Sequence, residues 1–163
     1  MGFLKRLFCS AEPTDEPKKE RHPLEESVNY YYPTSDTDIA LMKTSVAGIT
    51  HHMKLTDAPV VVQGHTRFEP ENPYNKKAVA LITDDGRQIG YIADRELSLY
   101  YDLFACRDNI RFYGGVGIFR NDQNRRTLYG KIMLVDVPES DNGRLFNLAQ
   151  KQLDYMMDDF TSE

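Results

Sequence analysis

Cysteine and long apolar runs are scarce in this sequence, and each shortage excludes a class of protein. The 163 residues include only two cysteines, Cys9 and Cys106, too few for a disulfide framework or a four-thiolate zinc site. This scarcity is typical of a reducing compartment, and we expect a cytoplasmic protein. No apolar run approaches the ~20 residues that a membrane-spanning helix needs, so we expect no stable membrane insertion. Tryptophan is absent, but 10 tyrosines and 8 phenylalanines supply aromatic surface for packing or stacking.

Neither sign of charge dominates the chain, whose formal net charge is −5. Residues 43–136 carry 13 lysines and arginines against 11 acidic residues, a net charge of +2. Residues 1–42 carry −3 and residues 137–163 carry −4. A faintly basic body is therefore flanked by acidic ends. The overall charge does not indicate nucleic-acid binding, although a local basic patch stays open.

Changes in composition divide the chain into three parts. Residues 1–42 begin with the short amphipathic stretch MGFLKRLF and continue through a segment rich in Pro, Glu and Lys, which predicts a disordered or loosely docked tail. Three consecutive tyrosines, Tyr30 to Tyr32, could dock on the body as a loose strand. Residues 43–137 are predicted to form the folded body. Residues 138–163 are predicted to form an acidic amphipathic helix.

The body is dominated by strand patterns. Short apolar runs at 45–49, 58–62, 78–82, 88–92, 110–119 and 128–137 predict about six strands. The period changes at Leu97, Tyr100, Tyr101 and Phe104, which share one helical face, with Asp94 as the predicted N-cap. Gly114, Gly115 and Gly117 predict a bulge or a tight barrel corner. We therefore predict a mainly β (α+β) fold, a small barrel with one interposed helix and a C-terminal helix.

The motifs that carry most enzyme chemistry are missing from the sequence. There is no phosphate-binding GxxxxGK loop, no GxSxG, no HExxH and no GxGxxG opening a helix. His51, His52 and His65 could meet as metal ligands, but no carboxylate lies at ligand spacing, which favours polar surface residues. We expect no catalysis, no metal and no cofactor.

A set of short motifs resembles the HIRAN domain family. It comprises Val46–His52 (VAGITHH), Asn72–Asn75 (NPYN), Ala78–Val79, and Gly86 followed by Ile89–Ile92 (IGYI). Together they cover roughly residues 43–136. The resemblance implies an OB-like β-barrel that serves as a non-catalytic module for single-stranded DNA, including free 3′ ends. It also implies a role in DNA repair or replication-fork processing, with a helicase or nuclease partner.

The resemblance also assigns candidate contacts to individual residues. Tyr74 would stack on a base, and Tyr91 would line the same pocket. Asn72 and Asn75 would bind sugar or hydroxyl groups, and Arg67, Lys76 and Lys77 would bind phosphates. His51 and His52 stand where the family has an Arg-Tyr pair, and Asn75 stands where it has an aspartate. Both changes weaken the expected grip on phosphate and on a terminal hydroxyl.

Simpler interpretations of these residues stay open. The NPYN segment is also compatible with a plain turn, and Lys76 and Lys77 with solvated surface charge. Arg120, Arg125 and Arg126 could extend a phosphate track or only confer solubility. The alternative function is a protein-interaction adaptor on the same barrel. Gln152–Met156 (QLDYM) loosely resembles the peptide by which bacterial proteins contact the replication sliding clamp, although a helix-packing stripe explains the same residues.

Overall fold

The computed structural model describes residues 24, 28–33, 39–108, 110–136 and 141–161, with the side chains of 152 and 156–161 left aside. Their elements in chain order are β1 (Tyr30–Tyr31), β2 (Ala40–Ala47), α1 (Ile49–His52), a 3₁₀ turn (Leu55–Asp57), β3 (Val60–Phe68), β4 (Val79–Thr83), β5 (Gln88–Ile92), a second 3₁₀ turn (Asp94–Glu96), α2 (Leu97–Phe104), β6 (Arg111–Arg120), β7 (Arg126–Asp136) and α3 (Asn142–Thr161).

The six longer strands form a closed antiparallel barrel. The sheet order is β1-β2-β5-β4-β3-β6-β7, and β2 also pairs with β7, which joins the two ends. Closure leaves few strand edges exposed, as expected for so many short strands in a small body. This confirms the predicted mainly β barrel of about six strands with few helices, and β1 adds a seventh strand on β2.

Two predicted strands have wrong boundaries. β2 begins at Ala40 and ends at Ala47, so it starts inside the range predicted as tail, and Ile49 opens α1 instead. β3 begins at Val60 and continues to Phe68, six residues beyond the predicted end. Its second half alternates exposed polar side chains with residues that face inward, which the search for apolar runs missed.

Two further details differ from the sequence-based expectation. The residue at the N-cap of α2 is Glu96 rather than Asp94, which starts the preceding 3₁₀ turn. The ladder between β6 and β7 is unbroken from Arg111 to Arg120, so the glycines of β6 make no bulge. They allow close approach instead, because a Cβ on Gly114 would lie 2.1 Å from the carbonyl oxygen of Lys131.

Apolar residues are buried in two separate clusters. The larger fills the barrel and is closed at one end by α2, whose Leu97, Tyr100 and Phe104 are buried as the helical period predicts, whereas Leu103 is buried in addition and Tyr101 is only half-buried. The smaller lies on the outside of β2, β6 and β7. There α3 and the N-terminal segment pack together on the barrel, through Leu24, Ile39, Leu41, Tyr113, Met133, Val135, Leu145 and Ala149.

Candidate nucleic-acid interface

The segment between β3 and β4 is a loop held by its own asparagine side chains. Asn72 Oδ1 accepts hydrogen bonds from the backbone N–H groups of Tyr74 (3.0 Å) and Asn75 (3.1 Å). Asn75 Oδ1 accepts from the N–H of Lys77 at 2.9 Å. The Glu69 N–H donates to the Ala78 carbonyl at 3.0 Å and closes the base of the loop. Such side-chain to backbone bonds fix a turn without strand partners.

This loop presents one aromatic ring and two ammonium groups to solvent. The Tyr74 side chain is 96% exposed, and Lys76 and Lys77 are exposed beside it. The hydroxyl of Tyr101 on α2 donates to the Lys77 carbonyl at 2.8 Å, which ties the loop to the helix that closes the barrel. The ring of Tyr74 is thus carried by a backbone with several fixed points.

A hydrogen-bonded network lies beneath the loop on the outer face of the barrel. The register pairs Arg67 with Ala80 and Ala80 with Tyr91, so Arg67 and Tyr91 lie two strands apart on the same face, over a small residue. Glu69 joins them, accepting from Arg67 at 2.7 Å and from the Tyr91 hydroxyl at 3.1 Å. Asn72 Nδ2 lies 3.4 Å from both Glu69 Oε2 and the Tyr91 hydroxyl.

The charge of Glu69 is stabilised within this network. The hydrogen bond from Arg67 lowers the pKa of the Glu69 carboxyl, and those from Tyr91 and Asn72 act in the same direction against partial burial. Glu69 is therefore ionised near neutral pH and occupies one guanidinium nitrogen of Arg67. Arg67, predicted as a phosphate contact, is first a partner of this carboxylate.

The two histidines that follow β2 lie beside the same network. His51 and His52 are exposed at the end of α1, which packs against β5. The His52 ring meets the Tyr91 ring edge to face at a centroid distance of 5.7 Å. Tyr91 is therefore shared between the histidine helix and the loop network.

Two acidic residues of the site were missed by sequence reasoning. Glu69 links Arg67 to Tyr91, and Asp94 Oδ1 accepts from Asn75 Nδ2 at 2.8 Å. Asp94 was interpreted only as a helix cap. The signal for Glu69 was its position two residues beyond Arg67, which puts both side chains on one face if the strand continues. Nothing in the sequence connects Asp94 to Asn75, 19 residues earlier.

The structure thus brings most of the predicted residues together. Asn72, Asn75, Tyr91, Arg67 and His52 belong to one connected surface, while Tyr74, Lys76, Lys77 and His51 are exposed at its rim. Arg120, Arg125 and Arg126 lie elsewhere, on the hairpin of β6 and β7. Gln152–Met156 falls within α3, where the Tyr155 side chain is exposed, and the sliding-clamp contact stays a prediction.

Within the described ranges, no three His, Cys, Asp or Glu side chains gather in a way that could hold a metal ion. No helix in that part of the chain is long and apolar enough to cross a membrane. The N-terminal stretch MGFLKRLF lies outside the described residues.

No family model and no curated protein matches the chain. Among solved structures, it is similar to a structural-genomics protein from Lactobacillus plantarum, with 22% identity over 60% of this chain and 98% of that one, at a TM-score of 0.40. It is also similar to the HIRAN domain of human HLTF, with 16% identity over 69% of this chain and 88% of that one, at a TM-score of 0.39. Values this low establish neither a family nor a function.

Proposed function

We propose that this protein binds single-stranded DNA through the loop between β3 and β4, without catalysing a reaction on it. The observation that carries the proposal is the 96% exposure of Tyr74 on a loop whose conformation is fixed by Asn72 and Asn75. A base stacked on such a ring contributes about 1–3 kcal/mol, and a loop that is already ordered loses little entropy on binding.

The charges around the loop suit a phosphate backbone. Lys76 and Lys77 supply two exposed ammonium groups next to the ring. Glu69, beneath the loop on the outer face, is paired with Arg67, whereas Glu71 and Asp94 are exposed carboxylates. Lys76 and Lys77 therefore offset the charges of Glu71 and Asp94, so a strand that approaches Tyr74 meets no excess of negative charge.

A free 3′ end is the part of the strand that we expect this site to prefer. The family motif has an aspartate where this chain has Asn75, but Asn75 donates to the exposed carboxylate of Asp94. Asp94 therefore supplies an acceptor for a terminal hydroxyl close to the position of the family's aspartate. End recognition would fit a role in DNA repair or replication-fork processing beside a helicase or nuclease.

Fluorescence anisotropy with labelled 10-nucleotide DNA tests the proposal. The strands end in either a 3′-hydroxyl or a 3′-phosphate, and binding is measured at low and moderate salt. We expect the purified protein to prefer the free hydroxyl, and Tyr74→Ala to weaken binding about tenfold, the loss of roughly one stacking contact. Asp94→Asn should reduce the preference for the hydroxyl more than the affinity for single strands in general.

Tyr155→Ala is the matched control, because it removes another exposed tyrosine, 70% exposed, from α3 instead of the loop. Equal binding by wild type and Tyr74→Ala would contradict the proposed contact. Salt-sensitive binding without end preference would leave a general single-strand site and exclude the terminal one. No binding at low salt would overturn the DNA function altogether.

A protein-interaction adaptor is the second candidate, favoured by exposed aromatic residues near the N-terminal strand. Tyr30 and Tyr32 are each 50% exposed and contact each other edge to face at 5.7 Å. Exposed aromatic rings are enriched in protein interfaces. If the protein does not bind DNA, the next experiment compares the partners captured by wild type with those captured by the double variant Tyr30→Ser/Tyr32→Ser.

A further inference from the structure

The hairpin of β6 and β7 continues as a two-stranded ribbon past the point where the neighbouring strands end. β3 pairs with β6 only as far as Val116, and β2 pairs with β7 only from Lys131 onward. The four rungs from Gly117–Tyr129 to Arg120–Arg126 therefore have no other strand partner in the described sheet. Beyond them the turn is closed by Asn121, whose backbone N–H donates to the Arg125 carbonyl and whose side chain accepts from the Arg125 N–H.

The tip of this ribbon is strongly basic. Arg120, Arg125 and Arg126 are exposed, and Asp122 is the one acidic residue between positions 117 and 130. Among the described residues none of the three arginines takes part in an ion pair. The guanidinium of Arg120 has only a neutral partner, the Asn124 carbonyl at 3.2 Å.

Two of these arginines oppose each other directly. Arg120 and Arg126 form the last rung of the ladder, so their side chains leave the same face about 5 Å apart at Cβ. Like charges in this position destabilise a hairpin. The arrangement becomes favourable when an anion lies between or beside the two guanidinium groups.

The two faces of the ribbon differ in chemistry. Arg120 and Arg126 are exposed at the tip of the face whose next rung, Ile118 and Leu128, packs in the barrel core, and this face of the ribbon carries no aromatic ring. The opposite face carries Phe119, whose ring is edge to face with Tyr129 at 5.4 Å. A single strand needs stacking as well as charge, so the arginine face suits a phosphate backbone whose bases are already paired.

We propose that this ribbon binds the backbone of duplex DNA, as a second surface separate from the Tyr74 loop. A two-stranded ribbon fits the major groove, about 12 Å wide, and guanidinium groups at its tip reach phosphates across the groove edge. The two surfaces are connected through α1, which packs against β5, the strand of Tyr91, and against β7. A junction of duplex and single strand would contact both.

Three DNA probes separate the two surfaces: a 20-base-pair blunt duplex, a 10-nucleotide single strand, and the duplex with a 10-nucleotide 3′ overhang. Arg120→Gln/Arg126→Gln should weaken duplex binding by about tenfold or more. The slope of the logarithm of the binding constant against the logarithm of salt concentration should become shallower by about 2, one unit for each lost phosphate contact. The same variant should bind the single strand as wild type does. Tyr74→Ala should bind the duplex as wild type does and the single strand more weakly. Both variants should bind the duplex with the 3′ overhang more weakly than wild type does.

Arg87→Gln/Lys151→Gln is the charge-matched control, because it removes two exposed positive charges from other parts of the surface. Duplex affinity that falls equally in this control and in the ribbon variant would show only a general charge effect and overturn the proposal. Duplex binding that is unchanged in Arg120→Gln/Arg126→Gln would also overturn the proposal. This is the result expected if the ribbon contacts an acidic protein instead of DNA. If Tyr74→Ala binds the duplex with wild-type affinity but binds the single strand more weakly, the two surfaces act separately. The failure of one proposal is then distinguishable from the failure of the other.

Discussion

Asn72 shows how one side chain can hold both parts of the candidate site. Its Oδ1 fixes the loop backbone at Tyr74 and Asn75, and its Nδ2 reaches the network of Glu69 and Tyr91. Asn72 stays a predicted contact for sugar or hydroxyl groups, and the structure shows its polar atoms in hydrogen bonds within the protein. Asn75 is engaged in the same way, through Lys77 and Asp94. Both asparagines therefore position Tyr74 and the acidic groups.

The residue types at the site could be predicted from the sequence, whereas their pairing could not. The NPYN motif indicated a fixed turn with an aromatic ring, and the structure has that turn. The bonds of Tyr91 to Glu69 and of Asn75 to Asp94 join residues 22 and 19 positions apart. Such contacts depend on the order of strands in the sheet, which the local pattern does not contain.

The Glu69 carboxylate should make the loop sensitive to acid. Its pKa is lowered from 4.5, chiefly by the Arg67 hydrogen bond, so its stabilisation is present above the unfolded-state value and is lost as pH falls through the folded value. Glu69→Gln should therefore lower the free energy of unfolding by up to about 1 kcal/mol at pH 7, and this deficit should shrink below pH 4.5.

Urea denaturation between pH 3 and pH 7 measures this difference. Glu71→Gln provides the control, since Glu71 is an exposed carboxylate of the same loop. An identical pH profile for the two variants would show that the bonds to Arg67 and Tyr91 contribute nothing to stability.

At the scale of elements, β3 explains why the sequence predicted only part of the barrel. The strand runs between β4 and β6, and its outward positions Gln63, His65 and Arg67 are polar. The apolar run that predicts this strand therefore ends at Val62. The interposed helix α2 was easier to predict, because its buried face repeats at helical spacing and closes one end of the barrel.

Gly64 on β3 is a position where the barrel accepts no side chain. A Cβ there would lie 1.9 Å from the carbonyl oxygen of Ile82 and 2.7 Å from the Cα of Thr83, both backbone atoms of β4. Gly64→Ala should force β3 and β4 apart and lower the free energy of unfolding by about 3 kcal/mol or more. Chemical denaturation followed by circular dichroism measures the loss.

Gly143 on α3 offers the same substitution in open space, with no atom within 4 Å of the added Cβ. Gly143→Ala should leave stability unchanged or raise it by up to about 1 kcal/mol, because alanine favours helix. A similar decrease in the free energy of unfolding in both variants would mean that the close approach of β3 and β4 is not needed for the stability of the barrel.

For the whole molecule, the main arrangement that the sequence did not indicate is the second apolar cluster. The acidic terminal helix was predicted, but not its place against β2, β6 and β7 beside Leu24 and Ile39. These strands carry apolar residues on both faces, so they lack the clean alternation of a strand with one wet face. Leu41 and Met42, adjacent in β2, belong to different clusters.

Because the two clusters share strands, they should unfold together, whereas the proposed DNA-binding loop should tolerate damage to the outer cluster. Leu145 on α3 is fully buried in the outer cluster, and Leu145→Ala should cost about 2–5 kcal/mol in a single cooperative transition. The proposed single-strand site lies on β3, β5, the loop between β3 and β4 and the turn at Asp94. The folded variant, kept well below its melting temperature, should therefore bind 10-nucleotide DNA as wild type does. A separate early transition would show that α3 is an independent unit, and a parallel loss of binding would place α3 within the DNA interface.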